Sequence, residues 1–439
     1  MKKQYTGQWE SIRTHKVPKW YENAKFGIMV VWGPYSVPAF APITWELGTV
    51  PIDENWYSNN PYAEWYYNSL KVGYGPTYEY HKKIYGEDFA YENFADMWKA
   101  EKWNPESWGK LFKKAGAKYS VLTTKFHDGF CLFPSKYTEY HSMNHGPKRD
   151  IVGAFADAMR ENNIKMGIYY SGLIDWKFAG DVLLSEEEYY GKACPTYEYS
   201  DYVYNQYCEL IDKYKPEVFW NDIGWPKQGE FNLPYLLAHY YNTVETGVVN
   251  DRLNGLYKDY STKEYCFGKE SKREKWEMTR GMGLSFGYNA QESEESLIKV
   301  KELIRLLIET VANNGNLLLS VGPRADGTIP EEQERRLLAL GKWMEINGEA
   351  IYETRCCDNE FIEHGNNAEV YFTKKGDITY VFVYSVSGNE VRVSIADRDG
   401  NIDVLDKTVG ANIIRRNNRI IFEIKDFGET HDMAVFKVG

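Results

Sequence analysis

The chain has 439 residues, a net charge of −11 and an aromatic content of 16%. Nucleic acids and anionic membranes bind clustered Lys and Arg, so this acidic balance argues against both as the main partner. The length exceeds one ordinary domain and suits one large barrel plus a smaller domain. Abundant aromatic rings can bind an apolar but hydroxylated ligand such as a sugar, although core packing also uses them.

The cysteines show no C-x-x-C spacing, which argues against a metal site and against a disulfide framework. They are Cys131, Cys194, Cys208, Cys266, Cys356 and Cys357. The start of the chain lacks the apolar stretch of a signal peptide, and no apolar run is long enough to span a membrane. We therefore expect a cytoplasmic protein with reduced thiols, although trimming of an export signal stays open.

Over roughly its first 350 residues the chain alternates short β-prone runs with amphipathic helical segments. Strands are predicted at Phe26–Trp32, Tyr119–Thr124, Met166–Tyr170, Val218–Asn221, Gly247–Asn250, Trp276–Thr279 and Asn316–Val321. Helices are predicted at Trp108–Ala115, Ile151–Asn162, Tyr197–Tyr214, Glu294–Asn313 and Glu331–Asn347. This α/β alternation predicts parallel strands that close into an imperfect (β/α)8 barrel of the TIM type. A doubly wound open sheet is the alternative, but no glycine-rich phosphate fingerprint follows a strand.

After Tyr352 the pattern changes to strands of alternating polarity that are separated by turns. Examples are the runs Glu369–Phe372 and Thr379–Tyr384 and the turn Lys375-Gly376-Asp377. Such a pattern predicts antiparallel strands in a β-sandwich. We expect a catalytic barrel domain over residues 1–352 and a C-terminal antiparallel β-sandwich over residues 353–439.

Polar and aromatic residues gather where the predicted strands end. They are Trp32-Gly33, Lys125-Phe126-His127-Asp128, Tyr169-Tyr170, Asp222-Ile223-Gly224-Trp225, Asn250-Asp251-Arg252 and Thr279-Arg280. Predicted loops add Ala63-Glu64-Trp65-Tyr66 and Thr262-Lys263-Glu264-Tyr265. The carboxyl ends of barrel strands meet at one mouth, which predicts a functional site there. Each of these residues could instead serve only the structure. For His127 alone, the sequence favours a structural and a functional role about equally.

The apolar run that begins at Val218 stops on the carboxylate of Asp222, between Trp220 and Trp225. Placing an ionised carboxylate beside apolar rings costs several kcal/mol unless it is paired, although Asp-x-Gly is also ordinary turn chemistry. Two carboxylates that flank an aromatic pocket can cleave a glycosidic bond, one as an ionised nucleophile and one as an acid with a raised pKa. Position alone leaves the acid open among Glu64, Glu264 and Glu277.

Several longer motifs occur in one order along the chain. They are Val17-Pro18-Lys19-Trp20, Lys25-Phe26-Gly27-Ile28, Asn60-Pro61-Tyr62-Ala63-Glu64-Trp65-Tyr66, His127-Asp128-Gly129-Phe130-Cys131, Gly146-Pro147-Lys148-Arg149-Asp150, Trp220-Asn221-Asp222, Asn250-Asp251-Arg252, Gly287-Tyr288-Asn289 and Gly315-Asn316-Leu317-Leu318-Leu319. In this series the chain resembles the α-L-fucosidases of glycoside hydrolase family 29 nearly from end to end. The resemblance implies a retaining hydrolase of fucosides in carbohydrate metabolism, with a barrel, a β-sandwich and no metal or other cofactor.

The resemblance also implies a role for individual residues. Asp222 matches the nucleophile and Glu264 the acid/base of the bacterial branch. The matching substrate-binding positions are Glu64 and Trp65 for ring hydroxyls, His127 near O2, Tyr169, Trp220 and Arg252 in the pocket, and Ile223 and Phe286 for the methyl group.

Two positions depart from the family pattern. Val31 stands where the family usually has the histidine of His-Trp-Gly, and Phe126 stands where it has the first histidine of His-His-Asp-Gly-Phe. The resemblance implies that both positions lie on the ring side away from O2, mainly near the axial O4 of fucose. Each hydrogen bond to a sugar hydroxyl that is lost there would cost about 1–3 kcal/mol.

We expect a glycoside as the ligand, and three hypotheses follow. The protein hydrolyses α-L-fucosides or glycosides of closely related 6-deoxy sugars, it hydrolyses glycosides of a sugar altered around C4, or it is a relic that binds sugars without catalysis. The sequence leaves a homo-oligomer open.

Overall fold

The computed structural model describes residues 4–178, 182–185, 187–188, 196–266, 274–357, 362–363, 367–388 and 390–439. Within these ranges no helix has both the length and the apolar character needed to cross a membrane. The same residues include five of the six cysteines, and no disulfide joins them. Cys194 lies outside the described residues.

A curled sheet of eight parallel strands forms the first part of the molecule. The strands are β1 (Phe26–Val30), β2 (Tyr119–Lys125), β3 (Lys165–Ser171), β4 (Val218–Asp222), β5 (Val248–Val249), β6 (Ser261–Glu264), β7 (Trp276–Gly281) and β8 (Gly315–Val321). Their order is β5-β4-β3-β2-β1-β8-β7-β6, so β5 and β6 form the two edges. The prediction of an imperfect parallel barrel is confirmed.

Two aspartates bridge the opening between the edge strands β5 and β6. Asp259 Oδ2 accepts a 2.9 Å hydrogen bond from the backbone N–H of Val249. Asp251 Oδ1 accepts hydrogen bonds from the backbone N–H of Thr262 at 3.0 Å and from its hydroxyl at 2.8 Å. These side chains therefore close the barrel between two strands that share no backbone ladder.

The helices pack around the sheet in chain order. They are α1 (Trp9–Ile12), α2 (Lys19–Ala24), α3 (Glu54–Ser58), α4 (Tyr66–Lys71), α5 (Pro76–Ile84), α6 (Asn93–Met97), α7 (Pro105–Lys114), α8 (Ile151–Glu161), α9 (Tyr197–Tyr214), α10 (Leu233–Thr243), α11 (Val300–Ala312) and α12 (Glu331–Asn347). Asn104, Asp150 and Thr196 cap α7, α8 and α9, because their side-chain oxygens accept a backbone N–H of the first turn.

Three predicted elements are wrong in detail. The segment Ala63 to Tyr66 was expected in a loop, but it forms a 3-10 turn over Ala63–Trp65 and the first residue of α4. The segment Thr262 to Glu264 was expected in a loop, but it belongs to β6, an edge strand that pairs with β7. Its side chains are half-buried without alternation, so the sequence carries no period-two signal. The helix expected from Glu294 begins only at Val300, because the backbone is still extended at Lys299, with φ −69° and ψ 149°.

The last part of the chain is a β-sandwich, as predicted. One sheet has the order β10-β13-β16-β15 and the other β14-β17-β12-β11-β9. The strands are β9 (Arg355–Cys356), β10 (Ile362–Glu363), β11 (Ala368–Lys375), β12 (Ile378–Ser385), β13 (Val391–Ala396), β14 (Ile402–Val404), β15 (Gly410–Arg416), β16 (Arg419–Asp426) and β17 (Met433–Val438). Alternate side chains such as Val381, Val393 and Phe422 form its core.

The sandwich packs against the barrel through α11. Arg305 on α11 forms two hydrogen bonds with the Glu369 carboxylate, at 2.7 and 2.9 Å, and Tyr384 donates to Glu302 at 2.9 Å. Tyr380 and Phe382 extend the barrel's hydrophobic cluster into this interface. The division between residues 352 and 353 stays a prediction.

Candidate active site

One cavity of about 340 Å³ lies at the carboxyl ends of the barrel strands. All of the residues predicted for the site border it: Val31, Glu64, Trp65, Phe126, His127, Tyr169, Trp220, Asp222, Ile223, Arg252, Glu264 and Phe286. They come from the ends of β1 to β6 and from two connections, so the fold gathers side chains that are up to 255 positions apart (from 31 to 286) in the sequence. The expectation that one barrel mouth collects them agrees with this geometry.

Seven further residues border the same cavity: Met29, Leu47, Ile52, Trp56, Tyr62, Thr262 and Lys263. Met29 lies two positions before Val31 on β1 and therefore faces the same side of the sheet, a relationship that the sequence could have revealed. Leu47, Ile52 and Trp56 belong to a long connection between β1 and β2. That connection has no strand periodicity, so nothing in the sequence indicated their position.

Asp222 ends β4 and is almost completely buried. Its Oδ1 accepts hydrogen bonds from Arg252 Nη1 at 2.6 Å and from the backbone N–H of Ile223 at 2.8 Å, and its Oδ2 accepts one from the Tyr169 hydroxyl at 2.5 Å. Burial alone would raise the pKa of Asp222, but Arg252 and the hydrogen bond from Tyr169 outweigh it and lower the pKa below the usual range. The carboxylate is therefore ionised at neutral pH.

The turn after Asp222 is conformationally strained. Ile223 has a φ of +63°, in the left-handed region that a β-branched residue rarely adopts. The side chain of Asn221 holds this turn, because its Nδ2 donates to the carbonyls of Gly224 at 2.8 Å and Arg252 at 2.5 Å. Strain of this kind costs about 1–3 kcal/mol and clusters at functional sites. Here it directs the Ile223 side chain to the cavity and its N–H to the Asp222 carboxylate.

Arg252 joins the two carboxylates that the sequence singles out. Nη1 binds Asp222 and Nη2 binds Glu264 Oε1, while Nε donates to Thr262 Oγ1 at 3.0 Å. The guanidinium also lies over the Trp220 ring, 4.6 Å from its centroid. A planar guanidinium with several fixed donors suits such a double contact. Glu264 and Asp222 therefore face the cavity from two sides of one cation.

The other two acid candidates have different environments. Glu64 borders the cavity, but it is buried and accepts hydrogen bonds from Ser285 Oγ and from the backbone N–H of Gly287, both at 2.9 Å. Burial raises the pKa of Glu64. Glu277 lies beneath the cavity, where Tyr21 donates at 2.8 Å, Tyr119 at 2.5 Å and Trp220 Nε1 at 2.9 Å. Glu277 does not border the cavity and is a structural acceptor.

The tautomer of His127 follows from its neighbours. Ser171 Oγ lies 2.6 Å from the Ile174 carbonyl, to which it must donate its single hydrogen. Nδ1 of His127, 2.6 Å from the same Oγ, therefore carries the ring hydrogen. Burial, assisted by the nearby cations of Lys125 and Arg252, lowers the pKa of His127 to about 3 against the opposing effect of Asp222. The ring is neutral, and Nε2, 3.9 Å from Asp222 Oδ2, is a hydrogen-bond acceptor.

Comparison with known proteins identifies the family. The model of a protein family described as alpha-L-fucosidase matches residues 1–349. The chain belongs to the α-L-fucosidase family. The resemblance carried by the sequence motifs is thereby confirmed, and with it the assignment to a family of glycoside hydrolases.

Members of the α-L-fucosidase family from distant organisms are similar over most of the chain. An alpha-L-fucosidase of Dictyostelium discoideum is 34% identical over 363 residues, which cover 80% of this chain and 74% of that protein. A tissue alpha-L-fucosidase of Mus musculus is 32% identical over 402 residues, which cover 87% and 81%.

A solved structure of Thermotoga maritima alpha-fucosidase in complex with fucose is 42% identical, covers 99% of this chain and 100% of its own, and gives a TM-score of 0.88.

In this member of the α-L-fucosidase family, β1 and the residues that directly follow β1 and β2 present apolar side chains to part of the cavity. Val31 and Phe126 are both buried and border it together with Met29. The Phe126 ring stacks on Tyr169 with centroids 5.6 Å apart and packs edge-on against Tyr35 at 5.3 Å. Neither Val31 nor Phe126 can donate or accept a side-chain hydrogen bond there. We name Met29, Val31 and Phe126 the apolar floor.

Proposed function

We propose that the protein is an exo-acting retaining α-L-fucosidase, with Asp222 as the nucleophile and Glu264 as the acid/base. The observation that carries the proposal is the pair of carboxylates on one guanidinium, at the mouth of an aromatic cavity. Asp222 is ionised, buried and held by fixed donors, as a nucleophile requires. Glu264 is half-buried at the end of β6, where a leaving group can reach it.

In the first step a carboxylate oxygen of Asp222 attacks the anomeric carbon, and the bond to the aglycone oxygen breaks. The attack is assigned to Oδ2, because Oδ1 already accepts two hydrogen bonds and Oδ2 accepts one. The carboxyl group of Glu264 gives its proton to the departing oxygen. Glu264 Oε1 faces Arg252, and its Oε2 has no hydrogen-bond partner among the described residues, which suits it to this transfer.

In the second step the Glu264 carboxylate takes a proton from water, and the resulting hydroxide oxygen bonds to the anomeric carbon while the bond to Asp222 breaks. The sugar leaves with its original anomeric configuration, and Glu264 is again protonated. Arg252 stays between the two carboxylates throughout and stabilises whichever of them is charged. The Tyr169 hydroxyl donates its hydrogen bond to Asp222 Oδ2 in the free enzyme and again when the bond to the sugar breaks.

His127 is assigned to a hydroxyl beside the reacting carbon. Its Nε2 is an acceptor 3.9 Å from Asp222 Oδ2, so a hydroxyl group at C2 would lie within reach when Oδ2 approaches C1. Glu64 is another buried acceptor in the cavity, and Trp65 packs edge-on against His127 with centroids 5.1 Å apart. These buried groups support binding of a single terminal sugar ring, which corresponds to an exo mode of action.

The proposal is tested with purified protein on a panel of aryl 6-deoxyhexosides and pentosides that includes the aryl α-L-fucoside. Hydrolysis of the fucoside at the highest kcat/KM supports it. Binding of sugars without turnover of any glycoside would establish the sugar-binding relic instead.

A second candidate is the same chemistry on a sugar altered around C4. The apolar floor favours it, because a hydroxyl facing Val31 and Phe126 would lose its hydrogen bonds at about 1–3 kcal/mol for each. A sugar that is deoxygenated or differently configured there would lose less. The same panel distinguishes the two candidates, since a shifted specificity gives another glycoside the highest kcat/KM.

The partner that we propose is therefore a fucoside, or the glycoside of a related sugar. The cytoplasmic location and the homo-oligomer raised by the sequence stay predictions, as does the expectation that neither nucleic acid nor membrane is a partner.

A further inference from the structure

The cavity has a buried end and a half-exposed end. Asp222, Glu64, His127 and Val31 are all at most 7% exposed. The half-buried lining residues are Leu47, Ile52, Ile223, Arg252, Thr262, Lys263, Glu264 and Phe286. Because an exo-acting hydrolase takes its sugar ring into the buried end, the aglycone that leaves lies at the half-exposed end, on the side where Glu264 protonates it.

One side of that half-exposed end is hydrocarbon. Leu47 and Ile52 border the cavity from the connection between β1 and α3, and part of each side chain remains open to solvent. We name these two residues the outer wall. Partly exposed aliphatic side chains at the rim of a cavity gain free energy when an apolar ligand covers them.

The outer wall is held in place before any ligand binds. Glu46, the residue before Leu47, forms an ion pair with Arg280 Nη2 at 3.1 Å. Arg280 is buried at the end of β7, and its guanidinium lies over the ring of Tyr265, the residue after Glu264, 4.9 Å from the ring centroid. Asp53 then caps α3 by accepting the Trp56 N–H at 3.0 Å. Arg280 at the end of β7 therefore contacts both Glu46, which precedes Leu47 of the outer wall, and Tyr265, which follows the acid/base Glu264.

We infer that the outer wall is an aglycone site for an alkyl or aryl group, and that it contributes to the hydrolysis of glycosides with apolar aglycones. The inference rests on the proposed function, because it needs Glu264 to mark the side from which the aglycone leaves. It adds the chemical class of the group on the far side of the glycosidic bond.

The test compares n-hexyl and methyl α-L-fucosides, whose leaving alcohols have closely similar acidity, with α-L-fucosyl fluoride as a substrate without an aglycone. We expect kcat/KM for the hexyl glycoside to exceed that for the methyl glycoside by about tenfold or more, from burial of a few methylene groups. The double variant Leu47→Ser with Ile52→Ser should reduce this ratio at least fivefold and leave hydrolysis of the fluoride within about twofold.

Ile43→Ser is the matched control, because Ile43 lies in the same connection, is 46% exposed and does not border the cavity. It should keep the hexyl-to-methyl ratio of the parent protein. A hexyl-to-methyl ratio near one in the parent protein, or a ratio that the double variant leaves unchanged, would overturn the aglycone site. Hydrolysis of the fluoride would still uphold the proposed function in either case. Failure of the parent protein to hydrolyse the fluoride would overturn both.

Discussion

The hydroxyl of Tyr169 donates a 2.5 Å hydrogen bond to Asp222 Oδ2, the oxygen to which we assign nucleophilic attack. Tyr169 and Asp222 lie on adjacent strands, where Tyr169 pairs with Trp220 and Ser171 with Asp222. The contact is therefore fixed by the register of the sheet. A donor on this oxygen stabilises the charge that Asp222 carries before attack and recovers when the glycosyl bond breaks.

Tyr169→Phe should move the acid limb of the pH profile to higher pH. Arg252 and Tyr169 hold the pKa of Asp222 below its usual range against the effect of burial, so the nucleophile stays ionised into acidic solution. Removing the Tyr169 hydroxyl raises that pKa, and kcat/KM is then lost at a higher pH as the solution is acidified. We also expect kcat/KM at the optimum to fall about tenfold. Full pH profiles of kcat/KM check both effects.

Tyr170→Phe is the control for this change, because the Tyr170 hydroxyl donates to Gln206 at 2.6 Å and does not reach the cavity. Its acid limb should coincide with that of the parent protein. Coincident acid limbs for Tyr169→Phe and the parent would contradict the assignment of that limb to Asp222.

Glu264→Ala should slow substrates in proportion to the basicity of their leaving group. We expect a loss of about 10²–10⁴ in kcat/KM for an alkyl fucoside and a much smaller loss for a dinitrophenyl fucoside, which needs little protonation. Glu64→Ala should slow both substrates equally, because Glu64 is assigned to the sugar ring. Equal losses for both leaving groups in Glu264→Ala would move the acid/base role to another residue.

The double variant Val31→His with Phe126→His should raise kcat/KM for an aryl α-L-fucoside if a sugar hydroxyl faces the apolar floor. Two restored hydrogen bonds would contribute about 1–3 kcal/mol each, which corresponds to roughly thirtyfold or more in total. The parent's preferred glycoside, if it differs from the fucoside, should lose rate in the same variant. No gain on the fucoside would mean that other groups already hold that edge of the sugar.

Much of this site follows from the sequence because it lies at strand ends. Asp222 and Arg252 each follow a short apolar run, and parallel strands bring such ends together. Glu264 was assigned only through the family resemblance, since β6 lacks the alternation that identifies a strand. Leu47 and Ile52 were missed because their position depends on the ion pair between Glu46 and Arg280, 234 positions apart. A contact of that separation leaves no local pattern.

The structural role of Glu277 predicts a loss of stability. Its carboxylate is the buried acceptor for Tyr21, Tyr119 and Trp220, and Glu277→Ala leaves those three donors without it. We expect the free energy of unfolding to fall by about 3 kcal/mol or more, measured by urea denaturation. Glu334→Ala, at an exposed position of α12, is the control and should change it by less than about 0.5 kcal/mol. Unchanged stability in Glu277→Ala would contradict this structural role.

The most direct test of the central claim, that Asp222 is the nucleophile, is the reaction of Asp222→Ala with an aryl α-L-fucoside in the presence of azide. We predict that turnover falls by about a thousandfold or more without azide. Azide should restore it by occupying the space of the carboxylate, and the product should be fucosyl azide with the inverted anomeric configuration. Glu264→Ala with azide should instead give the retained configuration, because the glycosyl-enzyme on Asp222 still forms. Undiminished hydrolysis by Asp222→Ala, or a retained azide product from it, would contradict the account.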